Sequence, residues 1–122
     1  DLVNAMKIVR QKLIAHIRNR DEYVAPCYAA RLGAILYPDG DVAPCELRDE
    51  ILGNLRLNGY NFRAVIESET AGRIRRKIAD EHCHCTYECF LTNAVMFNPA
   101  LFGKVLAEAV RIKFHRWFPG GS

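Results

Sequence analysis

Three stretches of the chain carry apolar residues every third or fourth position, the spacing that places them on one face of an α-helix. The stretches are residues 2–20, 68–80 and 99–117. Asp1, Ser68 and Asn98 precede them and are residue types that cap helix N-termini, and Pro99 occupies a first-turn position that proline favours. The pattern therefore predicts three long helices.

The apolar face of each predicted helix defines a predicted core. Its members are Leu2, Val3, Met6, Val9, Leu13 and Ile17 in the first helix, Ala71, Ile74 and Ile78 in the second, and Leu101, Val105, Leu106, Ala109 and Ile112 in the third. Arg73, Arg75, Arg76 and Lys77 lie on the remaining surface of the second helix. We interpret them as a solvated face, with docking of an anionic partner as the alternative.

Between the first two helices, residues 33–45 have the pattern of a β-hairpin. Residues 34–37 are apolar, residues 38–41 read Pro-Asp-Gly-Asp, and Val42 begins a return strand. Proline and glycine supply the backbone angles that such a turn requires. Residues 52–59 are predicted to form loops. Helices around one small hairpin define an α+β fold with irregular segments.

Composition limits the class of protein. The chain has 122 residues, 50% of them hydrophobic and 25% charged, which suits one soluble globular domain. No apolar run is long enough for a membrane span. The formal net charge of +3 is too small to argue for nucleic acid. We expect neither a membrane nor a nucleic-acid partner, and a cytoplasmic location.

Five cysteines are many for so short a chain, and an odd number fits a closed disulfide framework poorly. The thiols lie before the hairpin (Cys27), after it (Cys45), and in a late group (Cys83, Cys85 and Cys89). In a reduced compartment, ligation of a metal or cluster is the leading use of such thiols.

The spacing of the late thiols leaves several geometries open. Cys85 and Cys89 would share a face if their segment were helical, whereas Cys83 and Cys85 would share one in an extended chain. Four thiolates suit either a tetrahedral zinc ion or an iron–sulfur cubane, and spacing does not decide between them. We expect His82 and His84 to be surface residues or hydrogen-bond donors beside the site rather than ligands.

These motifs together resemble one family. The pattern Cys27-x12-Gly40-x4-Cys45, followed by Cys85-x3-Cys89, resembles the SPASM/twitch domain of radical S-adenosylmethionine enzymes. The segment Tyr37–Cys45 is similar to that family's hairpin, and Leu52–Arg56 is similar to its following Gly-Asn stretch. The run Cys83–Phe90 is similar to its later cysteines. The resemblance covers roughly residues 24–98.

The resemblance implies an auxiliary domain that holds one [4Fe–4S] cluster and supports electron transfer and substrate positioning. Cys27, Cys45 and Cys89 match family ligands, and Cys85 is the expected fourth, with Cys83 as the alternative. Because no cysteine follows Cys89, we expect the one-cluster, twitch-like form. A structural zinc-binding module for protein interaction is the alternative function.

The resemblance also implies a larger parent enzyme. The C-x3-C-x2-C motif of the radical S-adenosylmethionine barrel does not occur in this sequence. We therefore expect the barrel and S-adenosylmethionine itself on a missing part of the parent chain, and no catalysis by this piece alone. The parent would be an oxidoreductase or maturase that modifies a peptide or a small molecule, with the peptide weakly favoured.

The expected organisation has three parts. Residues 1–22 form a connector helix from the missing barrel, residues 23–98 the cluster-binding domain, and residues 99–122 a C-terminal helix with a frayed tail at 120–122. Helix faces left exposed without the barrel would be able to drive oligomer formation.

Overall fold

The computed structural model describes residues 1–118, so the predicted tail at 120–122 lies outside the described residues. Within the described part, the chain forms helices and a small antiparallel sheet, which confirms the α+β class. The elements are α1 (Leu2–Arg20), β1 (Ile35–Leu36), β2 (Asp41–Ala43), β3 (Gly53–Asn54), α2 (Phe62–Ile66), α3 (Glu69–Asp80), α4 (Glu88–Phe97) and α5 (Pro99–Trp117). They belong to two compact units, one of residues 1–25 with the chain from His84 onward, the other of residues 26–83.

The first unit is a bundle in which α1, α4 and α5 each pack against the other two. Its core comes from one face of each helix: Ala5, Val9, Leu13 and Ile17 of α1, Phe90, Leu91, Ala94 and Val95 of α4, and Leu101 and Val105 of α5. Burial of these apolar side chains is the main driving force for the bundle.

Two predicted core faces need correction. Leu2 and Val3 are exposed, because the buried stripe of α1 runs through Ala5 and starts one turn later. On α5, Leu106 is exposed and Glu108 takes the buried position instead. Glu108 is held there by Lys12, whose Nζ lies 3.1 Å from its carboxylate, and by Arg111. Glu108 lies three residues after the buried Val105, so it belongs to the buried face of α5. A search for apolar residues alone does not find this position, because its side chain is charged.

Helix α4 is an addition to the three helices that the sequence pattern predicted. Its buried positions 90, 91, 94 and 95 have ordinary helical spacing. Asn98 ends α4 and caps α5, where its Oδ1 accepts hydrogen bonds from the backbone N–H groups of Ala100 and Leu101. This cap was predicted and is confirmed.

No single helix among residues 1–118 is long and apolar enough to cross a membrane. Only α4 and α5 taken together, across a bend of 87°, reach that length and composition.

The second unit contains the three-stranded sheet, in the order β1-β2-β3 with antiparallel neighbours. The predicted hairpin is confirmed by the pairing of Ile35 with Ala43 and of Leu36 with Val42. Strand β3 was predicted as loop. It pairs through Gly53, where an added Cβ would lie 3.2 Å from a methyl carbon of Val65. The glycine that suggested a loop therefore serves close packing of α2 on the strand.

The hairpin turn depends on Gly40. Its φ is +98°, and a Cβ there would lie 2.8 Å from Cγ of Arg56 and 2.9 Å from Oδ1 of Asn54. Asn54 donates to the carboxylate of Asp41 at 2.8 Å, and Arg56 donates to the carbonyl oxygen of Pro38 at 2.6 Å. Side chains from β3 and the loop after it thus hold the turn closed.

Helix α3 begins at the predicted cap. Ser68 Oγ accepts a hydrogen bond from the backbone N–H of Ala71 at 3.1 Å. Ala71, Ile74 and Ile78 are buried, as their spacing predicted.

Candidate metal centre

In the described part of the chain, all five cysteines are thiols and none forms a disulfide. Cys27, Cys83 and Cys85 are partly buried, Cys45 is buried with 7% of its surface exposed, and Cys89 is exposed. The second compact unit contains the first three in sequence, Cys27, Cys45 and Cys83, and the first unit contains Cys85 and Cys89.

The hairpin fixes the backbone that leads to Cys45. Cys45 follows β2 by two residues, after Pro44, which is fully buried. The carbonyl oxygen of Val42 accepts a hydrogen bond from the N–H of Leu52 at 2.7 Å. Pro44 and Cys45, which follow β2, are therefore buried in the second compact unit.

Cys83 is fixed by the C-terminal end of α3. His82 adopts a left-handed backbone with φ of +47°, and its N–H donates to the carbonyl oxygen of Ala79 at 3.1 Å. The N–H of Cys83 donates to the carbonyl oxygen of Ile78, also at 3.1 Å. This pair of bonds is a Schellman motif, which satisfies helix-terminal carbonyls and sets the direction of the chain after the helix.

The side chain of Cys83 faces an arginine that two carboxylates hold in place. Arg48 donates to both carboxylate oxygens of Glu50 at 2.7 Å, and its Nη1 donates to Glu81 at 2.9 Å. The same Nη1 lies 3.7 Å from Sγ of Cys83. Glu50 also accepts a hydrogen bond from Nζ of Lys77 at 2.7 Å. We call Arg48, Glu50, Lys77 and Glu81 the arginine clamp.

Within the arginine clamp, electrostatics keep Arg48 and Glu50 ionised. The hydrogen bond with Glu50 raises the pKa of Arg48, against an opposing effect of burial, and Glu81 and Cys83 raise it further. Hydrogen bonds from Arg48 and then Lys77 lower the pKa of Glu50 to about 2, although burial opposes this. Arg48 and Glu50 thus contribute fixed charges across the neutral pH range.

Cys85 was preferred as the fourth ligand because it would share a helix face with Cys89, but Cys85 does not lie in a helix. α4 begins at Glu88, with Tyr87 as its N-cap, so residues 85–89 are not one helical segment. Sγ of Cys85 instead accepts a hydrogen bond from the backbone N–H of Tyr87 at 3.4 Å. Cys89 lies in the first turn of α4, where backbone N–H groups lack acceptors within the helix. The choice between Cys83 and Cys85 stays a prediction.

The two histidines beside Cys83 have separate local surroundings. Nε2 of His84 lies 3.1 Å from the carboxylate of Asp21, and its ring meets that of Tyr23 edge-on at 6.2 Å. His82 occupies the left-handed position of the Schellman motif. Both therefore have local structural contacts, and their relation to a metal stays a prediction.

The arginine clamp was not predicted from the sequence. Its members come from the loop after the hairpin and from the end of α3, more than 25 residues apart. The spacing of Lys77 and Glu81, four residues apart on one helix, was the available signal.

In residues 1–118, no three His, Cys, Asp or Glu side chains lie together in a group that could hold a metal ion. The chemistry of the donors nevertheless fits an iron–sulfur cluster, because thiolates are its usual protein ligands and all five cysteines are outside disulfides.

Comparison with known proteins identifies the family. The sequence model of the SPASM family, described as an iron–sulfur cluster-binding domain, matches residues 27–90. That match begins at Cys27, ends one residue after Cys89, and covers more than half of the chain. The chain therefore belongs to the SPASM family of iron–sulfur cluster-binding domains, as the motif spacing predicted. No curated protein and no solved structure matches it.

The family match does not test the predicted division at residues 1–22, 23–98 and 99–122, which stays a prediction. The boundaries of the two compact units differ from those of the predicted parts, because one unit contains both residues 1–25 and the chain from His84 onward.

Proposed function

We propose that the chain is the auxiliary domain of a radical S-adenosylmethionine enzyme and holds one [4Fe–4S] cluster through Cys27, Cys45, Cys85 and Cys89, with Cys83 as the alternative to Cys85. The observation that carries the proposal is the SPASM match, which includes all five cysteines. Each of these cysteines is present as a thiol. Zinc bound by the same thiols is the competing outcome.

A bound cluster of this type supplies one-electron redox chemistry. Four protein thiolates would leave no iron open, which favours roles in electron transfer and structure over direct ligation of substrate. The chain's own contribution is to hold the sulfurs, to limit solvent around Cys45, and to place charges near Cys83 through the arginine clamp.

The proposed partner is the radical S-adenosylmethionine barrel of the same parent chain, in the cytoplasm. The proposed substrate of the parent is a peptide or a small molecule. Apolar side chains exposed along α5 support a partner of this kind: Phe102, Leu106, Val110, Phe114 and Trp117. They follow each other at three- or four-residue spacing, so they form one apolar face. The same face supports oligomer formation when the barrel is absent.

The proposal is tested by anaerobic reconstitution of the 122-residue chain with iron, sulfide and a thiol reductant. We expect a visible absorption band of a cluster and, after reduction with dithionite, an electron paramagnetic resonance signal from one unpaired spin. Cys45→Ser should lose most of both signals, because Cys45 is the buried thiol of the hairpin. A Cys45→Ser variant with the full wild-type signals would contradict the ligand assignment.

A further inference from the structure

We infer that the groove between α1 and α5 binds a small organic anion, namely a carboxylate that carries an apolar chain. Residues of the first compact unit alone line the groove, which has a volume of about 500 Å³. Sites for small molecules have volumes of about 300 to 1,000 Å³. No cysteine is among the described residues that line the groove, so binding there would not depend on the proposed cluster.

One part of the lining is apolar. Val9 and Leu13 of α1 and Leu101 of α5 belong to it, and all three are buried in the bundle. Val24, which follows α1, also lines the groove and is partly buried. An apolar chain in the groove would contact these side chains and lose contact with water, which favours binding.

The other part of the lining carries more positive than negative charge. Lys12, Lys104 and Arg111 contribute three positive charges, and the buried Glu108 contributes one negative charge. Hydrogen bonds from Arg111 and then from Lys12 lower the pKa of Glu108, although burial opposes this, so its carboxylate is ionised at neutral pH. An anion in the groove therefore meets a net positive lining.

Glu108 holds two of these cations in place without using all of their donors. It accepts hydrogen bonds from Nε of Arg111 at 3.0 Å, from Nη2 of the same residue, and from Nζ of Lys12 at 3.1 Å. A guanidinium has five N–H donors and an ammonium group has three, so both cations keep donors for a ligand. Lys104 makes no ion pair within residues 1–118. Its charge is therefore also available to an anion.

The charge of Glu108 also selects among anions. A carboxylate carries one negative charge and can accept from any of the three cations. A multiply charged phosphate would be repelled more strongly by Glu108. His16 lines the groove too, but its Nε2 lies 2.7 Å from the carboxylate of Glu22, so it has an acidic partner of its own. The lining therefore suits a singly charged group best.

The first compact unit attracts anions as a whole. It contains nine Lys and Arg residues against five Asp and Glu residues, which gives a formal net charge of +4. The second unit contains eight against nine, which gives −1. The excess positive charge of the chain thus lies entirely in the unit that contains the groove, and a potential of this sign raises the local concentration of anions.

The test titrates the 122-residue chain with octanoate and follows the amide signals by ¹H–¹⁵N nuclear magnetic resonance. Octanamide has the same chain without the charge, and acetate has the charge without the chain. We expect saturable binding of octanoate with a Kd of about 1 mM or below. Octanamide should bind at least about threefold more weakly and acetate at least about tenfold more weakly, because each lacks one half of the recognition. The largest shifts should come from the groove residues of α1 and α5.

Two substitutions at exposed positions of the groove test the two halves of the recognition separately. Lys104→Gln should weaken octanoate binding by about threefold or more and leave octanamide binding unchanged. Ala107→Phe places a ring in the groove and should abolish saturable binding of both. Lys113→Gln and Ala79→Phe are the controls, since they make the same changes at exposed positions that do not line the groove. Both controls should bind octanoate like wild type.

The salt dependence of the wild-type chain tests the charge without any substitution, and it decides the question if Ala107→Phe fails to fold. Raising the ionic strength from about 0.05 to about 0.5 M should weaken octanoate binding at least about twofold and leave octanamide binding unchanged. Equal affinity for octanoate and octanamide at low salt would overturn the inference.

Other occupants of the groove would give different results. Shifts confined to the exposed apolar face of α5, at Phe102, Leu106 and Val110, would place the ligand outside the groove and overturn the inference. Wild-type octanoate binding by Ala107→Phe would do the same. A wild-type dimer in sedimentation that becomes a monomer in Ala107→Phe would assign the groove to a second copy of the chain and would also overturn it.

Discussion

Arg48 and Glu50 are joined by two parallel hydrogen bonds of 2.7 Å, although they are only two residues apart in a segment without regular secondary structure. The pair is mostly buried, with 14% of the Arg48 side chain and 25% of the Glu50 side chain exposed. A bidentate pair of this kind orders both side chains, and here it directs the remaining guanidinium nitrogen toward Glu81 and Cys83.

This pair makes the stability of the second unit depend on pH. The pKa of Glu50 falls from 4.5 to about 2 on folding, so the stabilisation is complete above pH 4.5 and is lost as the pH falls toward 2. We expect a loss of about 1 to 3 kcal/mol in the free energy of unfolding over that range. Urea denaturation of the metal-free chain at several pH values measures it.

Glu50→Gln should remove that part of the acid sensitivity and lower stability at pH 7. Glu67→Gln is the matched control, because Glu67 is exposed and pairs with Arg63 at 3.7 Å in an exposed helix pair. The control should change stability by less than about 0.5 kcal/mol. Identical acid profiles for wild type and Glu50→Gln would contradict the account of the clamp.

Gly40 should tolerate substitution poorly. Gly40→Ala combines a backbone with φ of +98° and a Cβ within 3 Å of both Arg56 and Asn54. We expect a loss of roughly 2 to 4 kcal/mol in the free energy of unfolding. Gly59→Ala is the control, since Gly59 has φ of +68° with nothing within 4 Å of the added atom. Its cost should be about 1 kcal/mol, from backbone strain alone. Equal costs at both glycines would show that the turn does not depend on the close approach.

His82 should prefer glycine over a β-branched residue. Its φ of +47° belongs to the left-handed region, where glycine is unstrained and valine is strongly disfavoured. His82→Gly should match or exceed wild-type stability, and His82→Val should lose more than about 1 kcal/mol. Thermal unfolding of the metal-free chain measures the difference.

Cluster loading of His82→Gly at the wild-type level is also expected, because the Schellman motif and Cys83 remain in place. A more stable His82→Val than His82→Gly would contradict the Schellman assignment.

The helix caps provide a local test of the two units. Ser68→Ala and Asn98→Ala each remove side-chain acceptors of helix N–H groups and should cost about 1 kcal/mol. Asp1→Ala should cost less, because the side chain of Asp1 makes no cap hydrogen bond in α1. Circular dichroism during thermal unfolding measures all three variants. A cost at Asp1 as large as that at Asn98 would contradict the assignment.

Local signals in the sequence were sufficient for the elements that depend on neighbouring residues. The caps at Ser68 and Asn98, the buried face of α3 and the hairpin turn around Gly40 all followed from residue type and spacing. The cysteine and glycine spacing was also sufficient for the family.

The features that sequence reasoning missed depend on residues far apart in the chain. β3 exists because Gly53 pairs with Val42 and accommodates Val65, and neither contact is visible in a Gly-Asn dipeptide. Glu108 is buried because Lys12, 96 residues earlier, neutralises it together with Arg111. The arginine clamp likewise joins Arg48 to Glu81 across 33 residues. The spacing of residues within one helix or strand carries no information on contacts between residues that are distant in the sequence.

If this chain binds an iron–sulfur cluster through its cysteines, the anaerobically prepared 122-residue chain should contain iron and acid-labile sulfide rather than zinc. We expect elemental and sulfide analysis to find about four iron and about four sulfide per chain, with little zinc. One zinc per chain without sulfide, in a colourless protein prepared with iron and sulfide present, would contradict it.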